Sequence, residues 1–418
     1  MALPSRSLYP IVSLLLFLAP ASNLVWRGGT GYCFFLLLAI GLGSAIAGAR
    51  TPGYFAPLRL YPWYTAAMAV FVVVAVLQQA VFGYWAPHQF DATSRFALAL
   101  PVFLLLCRMP SRWLTPVGWG CAAGALAANV WVFVDRPPGG WTDAVRLNNY
   151  FTNAIPFGDT ALLLAFLAVF TWGWDRPRDW RTLAPKAIAL AAGGYASYLS
   201  GTRGGWLAIP MFVALLALQY RWCSHRRRML VAAIAIVVCG GVLLSAPRVE
   251  QRIFEAGSDF KELRQGQDIT SVGQRLLLWK ASLRIFAQHP VYGVGKGHLR
   301  HALEDLNRRG ELAAQTVNER AHSDFFSTVA EVGAIGVAGL LLFYFGTSVY
   351  FWRHRHATDR TVRTAACSGL ALSFSTIVFG LTIDVLVPVM VTALIALLTA
   401  TFLAIIHSRK QELAAAVR

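Results

Sequence analysis

The sequence predicts an all-α polytopic membrane protein of about 12 transmembrane helices with one large helical loop on the outer side. Three observations carry this reading. Of 418 residues, 56% are hydrophobic and only 14% charged, with mean hydropathy +0.53. Soluble globular chains hold roughly 45–50% apolar and about 25% charged residues. Apolar runs approaching the roughly 20 residues needed to cross a bilayer core recur along most of the chain. The net charge of +17 is sorted by side of the membrane. This balance argues against a soluble enzyme, a disordered chain and a nucleic-acid-binding domain, so membrane lipid is the expected partner and nucleic acid is not.

Twelve segments bounded by charge, Pro or Gly qualify as spans, at roughly 10–26, 31–48, 62–83, 94–107, 113–134, 156–174, 183–199, 205–219, 229–245, 322–352, 362–383 and 386–407. The first resembles a signal peptide, but eleven similar segments follow it, so it reads as a span. The segments 94–107 and 205–219 are short, and 322–352 is long enough to project beyond the membrane. A single membrane domain is expected: spans one to nine in 1–245, a loop of two or more helices in 246–321, and spans ten to twelve with a tail in 322–418. The six cysteines are scattered and form no CxxC pair, which points to neither zinc nor a disulfide framework.

Lys and Arg orient the spans. Loops on one side gather twenty of them, Lys186 and Arg226–Arg228 included, whereas the short loops opposite hold only Arg27, Arg95, Arg136, Arg146 and Arg203. The positive-inside rule then puts both termini in the cytoplasm, with Arg226–Arg228 as a topology anchor at anionic lipid. The remaining twelve positives lie with nine acids in the outer loop 246–321, which is long enough to be exempt from the rule.

Two loop helices are legible. In Gln274–His289 an apolar face is expected from Leu276, Trp279, Leu283 and Phe286, with Thr270 and Ser271 as capping candidates and Pro290 as the stop. Arg275 would fall in the first turn, where a cation opposes the macrodipole. The second helix, about 298–309, follows Gly293-Val294-Gly295-Lys296-Gly297, read as a helix-joining turn in preference to a phosphate cradle.

Arg203 stands among glycines in the short outer loop Ser200–Gly205. It suits either a snorkelling role or close approach to a ligand. His322 opens the tenth span, and an imidazole at a membrane surface can take a proton from a hydroxyl. Alone it reads more often as a polar interface residue. Asp159, Asp324, Glu331 and Asp384 lie in or beside spans, where charge is expensive and marks function by default. Asp324 and Glu331, seven apart, share a helix face, and with Lys296 they are candidates for substrate binding. The same acids would suit an ion relay in a transporter. No DxD motif occurs, so Arg and Lys would stabilise any diphosphate without metal.

Taken in order, Ser200-Gly-Thr-Arg203-Gly-Gly205, Gln274-Arg275, His289-Pro290-Val-Tyr-Gly293-Val-Gly295, and His322 followed by Glu331-Val-Gly333-Ala-Ile-Gly336 resemble the O-antigen ligase and polymerase superfamily, over roughly 196–342. The superfamily's histidine is commonly followed by Asn, and Ser323 stands there instead. The resemblance implies a GT-C-like protein of the bacterial inner membrane whose outer loop is periplasmic. It implies transfer of an O-antigen glycan from undecaprenyl diphosphate to a sugar hydroxyl of lipid A–core oligosaccharide, with inversion and without cofactor or metal. His322 is then the general base, and Arg203 and Arg275 stabilise the diphosphate. An O-antigen polymerase and a protein O-oligosaccharyltransferase share this chemistry and differ in acceptor; a transporter is the alternative of another class.

Overall fold

The computed structural model describes residues 6–142, 144–222, 271–318 and 320–417. The expected ninth span (229–245), Arg226–Arg228, Thr270 and most acids of the outer loop lie outside them. The described residues are helical, with no strand among them. In chain order the helices are α1 (Leu8–Ser22), α2 (Gly29–Gly48), α3 (Ala56–Leu60), α4 (Pro62–Phe82), α5 (Ser94–Leu106), α6 (Val117–Ala127) and α7 (Val130–Val134). There follow α8 (Ala154–Phe170), α9 (Trp180–Leu199), α10 (Arg203–Trp206), α11 (Ile209–Gln219), α12 (Ser271–Gln288) and α13 (Leu299–Arg308). The chain ends with α14 (Asp324–Gly346), α15 (Ser348–His354), α16 (Arg360–Gly380) and α17 (Val389–Ala416).

Eleven of the twelve expected segments are helical. Among the described residues seven stretches are long and apolar enough to cross a membrane, and Leu8–Ser22, Ser94–Leu106 and Arg203–Gln219 are shorter apolar helices beside them. The protein is a multi-pass membrane protein. Helices α8 and α17 are apolar all round and buried almost throughout, so they form the centre of the bundle. Helices α2 and α4 instead turn Phe35, Leu36, Leu77 and Val81 outward, as lipid-facing walls do.

Side-chain bonds between helix ends show the up-and-down order. At one end the Tyr350 hydroxyl accepts from Trp63 N (3.2 Å) and Trp174 Nε1 donates to Thr361 O (3.2 Å). At the other, Thr202 donates to Ala154 O (3.3 Å), Ser323 to Gly380 O (3.1 Å) and Lys296 Nζ to Thr93 Oγ1 (3.5 Å). The loop helices α12 and α13 cap this second end.

Lys186, counted with the positives that orient the spans, has another task. It lies inside α9, fully buried, with Nζ 2.7 Å from Asp175 Oδ2, and Trp119 Nε1 donates to the same carboxylate (3.1 Å). Its ammonium also lies 4.8 Å from the Trp119 ring centroid. Breaking a buried pair leaves an uncompensated charge. Lys186→Met is therefore expected to cost about 3 kcal/mol in detergent unfolding. Adding Asp175→Leu should recover most of the loss, and an unchanged midpoint in Lys186→Met would contradict the pairing.

Candidate functional site

The site end is built around a break in α14. Gly333 has φ 70° and ψ −158°, outside the helical region, and a Cβ there would lie 2.6 Å from Gly293 N. Gly293 is itself left-handed (φ 65°), and a Cβ on it would collide with the Glu331 backbone. The break interrupts the helical hydrogen-bond ladder, so the exposed groups need other partners. The glycine turn supplies them. Val294 N donates to Ala330 O (3.0 Å) and Gly295 N to Glu331 O (2.9 Å). Ala334 N and Ile335 N donate to Pro290 O (2.9 Å) and Val291 O (3.3 Å). Gln78 on α4 completes the junction, with Nε2 donating to Tyr292 O (2.6 Å) and Glu331 O (2.7 Å). Lys296 N donates to Gln78 Oε1 (3.1 Å) and Gly297 N to Glu331 Oε1 (3.1 Å). The N–H groups from Val294 to Gly297 are thus committed within the protein, and the turn clamps the loop onto α14.

Helix α12 lies against α14 and α13. Leu278, Ala281 and Ile285 are buried with Leu299, Leu303 and Leu306 of α13, forming a small core of their own. The expected face needs correction, because Leu283 is 49% exposed. The helix carries two adjacent stripes of apolar residues at helical spacing, and only tertiary contact selects the one holding Leu278. The helix already includes Ser271, so Arg275 lies at least one turn inside it and not in its first turn. Trp279 stacks on Phe326 (centroids 4.7 Å apart, 12° between planes) and donates from Nε1 to Ala321 O (3.1 Å).

That bond presents His322. The histidine does not open the helix: α14 begins at Asp324, and His322 precedes it in the left-handed region, at φ 54°. Such backbone on a non-glycine residue persists only where its surroundings hold it. Here Ala321 N donates to Ser327 Oγ (3.1 Å), while Asp384 accepts from the Ser327 hydroxyl and from the His322 N–H. The ring Nε2 is 3.0 Å from Asn318 Nδ2. Burial pushes the imidazole below its ordinary pKa; Asp384 opposes this, and the charges of Arg275 and Arg320 add to it.

Arg275 and Arg203 stand on different helices, α12 and α10. Arg203 opens α10, and its glycine neighbours let the chain pass tightly, since a Cβ on Gly204 or Gly205 would strike Thr382 or Asp159. Arg275, half-buried, has its pKa lowered by burial and by the charge of Arg203, and it acts in turn on His322. Arg275 is thus within electrostatic reach of both Arg203 and His322, although more than a hundred residues separate the last two.

The remaining candidates sit deeper. Asp324 is buried, accepting from the Tyr344 hydroxyl (3.1 Å) and Leu386 N (3.2 Å). Glu331, also buried, holds the glycine turn. Burial lowers the Lys296 pKa, and the charge of Glu331 opposes that shift. One neighbour of His322 escaped the candidates: Arg320 is exposed two residues before it, with no signal beyond that proximity. Asp384, singled out as an acid in or beside the spans but given no role, proves to be the acceptor beside His322; its pKa is raised by burial, against the Ser327 hydrogen bond. Asp384 and Asp159 line one small cavity of about 20 Å³ between α8, α16 and α17. Both Asp159 oxygens and Asp384 Oδ2 lack a hydrogen-bond partner there. Among the described residues no three His, Cys, Asp or Glu side chains are gathered as metal ligands.

Comparison with known proteins matches residues 187–344 to the family model described as O-antigen ligase. An uncharacterized protein of Haemophilus influenzae is 22% identical over 289 residues, covering 68% of this chain and 71% of its own length. The matched stretch runs from α9 into α14 and contains Arg203, Arg275 and His322. The part of the chain that builds the site is thus the part that is similar to the O-antigen ligase family.

Proposed function

We propose that the protein transfers an O-antigen glycan from undecaprenyl diphosphate to a sugar hydroxyl of lipid A–core oligosaccharide, at the periplasmic face of the bacterial inner membrane. One observation supports this reading: Arg275 lies within electrostatic reach of both the half-buried His322 imidazole and Arg203, inside the stretch that matches the ligase family. His322 takes the proton of the acceptor hydroxyl. The hydroxyl oxygen attacks the anomeric carbon as the bond from that carbon to the diphosphate oxygen breaks, with inversion. Undecaprenyl diphosphate leaves with the electron pair, and Arg203 and Arg275 stabilise the charge that develops on it.

Purified protein incubated with undecaprenyl-diphosphate glycan and rough lipopolysaccharide should give a ligated band, undiminished by EDTA. Arg203→Lys and Arg275→Lys should each lower transfer by about 100-fold, because a point charge lacks the bidentate fork. Strict dependence on a divalent metal would overturn the scheme. A polymerase would share the donor and the base, so the acceptor separates the two. A null strain that accumulates polymerised chains on the carrier lipid supports the ligase; core capped with a single repeat unit supports the polymerase.

A further inference from the structure

The end of the bundle opposite Arg203 and His322 holds a cleft of about 860 Å³ between the start of α1, helix α3, the α5–α6 connection and the last turns of α17. Its walls are largely apolar, with Tyr9, Leu60, Met109 and Trp113 among them, yet four arginines line it. Glu412 is the one carboxylate in that lining, and it is already engaged by Ser111 N (2.6 Å), Ser111 Oγ (2.9 Å) and Arg409 (3.1 Å). Arg108 is tied back, donating to Tyr54 O (2.8 Å) and lying 3.6 Å over the Tyr54 ring. Arg6, Arg59 and Arg112 are exposed and form no ion pair with any described residue. The cleft therefore combines uncompensated positive charge with apolar walls. Beside it Phe55, Leu60 and Trp63 project outward, 42%, 59% and 56% exposed, an aromatic and aliphatic set suited to the bilayer interface.

We infer that this cleft binds an anionic phospholipid of the adjoining leaflet, with Arg6, Arg59 and Arg112 around the phosphate and the acyl chains running out past Leu60 and Trp63. Guanidinium forks match a phosphodiester bidentately. Basic pockets between transmembrane helices are also where anionic headgroups settle. Apolar walls favour a phosphate that carries hydrocarbon over a free one. The site is separate from the transfer chemistry and does not depend on it.

Native mass spectrometry of the full-length protein, exchanged from detergent into mixtures of phosphatidylglycerol and phosphatidylcholine, tests this. Phosphatidylglycerol adducts should survive delipidation that strips phosphatidylcholine. The combined Arg6→Ala, Arg59→Ala, Arg112→Ala variant should lose phosphatidylglycerol affinity by about 100-fold, a factor of about five for each cation. The Arg50→Ala, Lys410→Ala variant, which removes positives of the same end outside the cleft, should keep its adducts. Equal retention of phosphatidylcholine, or unchanged binding in the triple variant, overturns the proposal. An equal loss in the control variant also overturns it, by showing a diffuse basic surface. Displacement of the lipid by inorganic phosphate overturns the lipid as the source of the anion. If the triple variant elutes as aggregate, Arg59→Gln alone is read by the same criteria.

Discussion

His322→Ala is expected to reduce glycan transfer by about 1,000-fold while the protein still reaches the membrane, because one positioned base contributes about 10²–10⁴ to such a step. Retention of more than a tenth of the activity would remove the imidazole from the mechanism. The protein should survive the change, because the backbone around His322 is held by Trp279, Ser327 and Asp384 rather than by the ring. The pH profile gives a second readout. A base works when neutral, and burial with Arg275 and Arg320 holds this imidazole below its ordinary value. Transfer should accordingly be flat around neutrality and fall only as pH drops through that lowered pKa. Arg320→Gln removes a charge that disfavours the imidazolium, so the pKa rises and the acid limb moves to higher pH. A limb that stays in place would show that Arg320 does not act on the base.

Gly333→Ala and Gly293→Ala are the substitutions expected to damage the fold most. Each position is left-handed or outside the helical region, and each Cβ would run into backbone that no rotamer change can move aside. The loss should be about 3 kcal/mol for either, enough to deplete the protein from the membrane. Gly31→Ala and Gly43→Ala in α2, where a Cβ meets nothing, serve as controls and should leave the yield unchanged. If the Gly333 variant unfolds at the same temperature as the controls, the clamp is not what holds the loop on α14.

The bundle was legible because apolar length is a local property: the runs at 31–48, 62–83 and 362–383 need only composition and their bounding charges, and helices stand there. Helix α13 was legible at its expected place for the same reason. What sequence periodicity could not reach is selected by distant partners. The stripe of α12 that is buried depends on α14. The start of α14 after His322 depends on Asp384, sixty-two residues on. The glycines of the loop turn read as a local joint, yet they and the break at Gly333 are the two halves of one contact. Lys186 looked like one more orienting cation because its burial against Asp175 and the Trp119 ring emerges only when the helices pack.

The hydrogen bond from Trp279 to Ala321 has a mechanical consequence. It ties the helix bearing Arg275 to the residue just before the imidazole, while Ser327 and Asp384 hold the same segment to the bundle. Any displacement of that helix would therefore be felt at His322 as well as at Arg275.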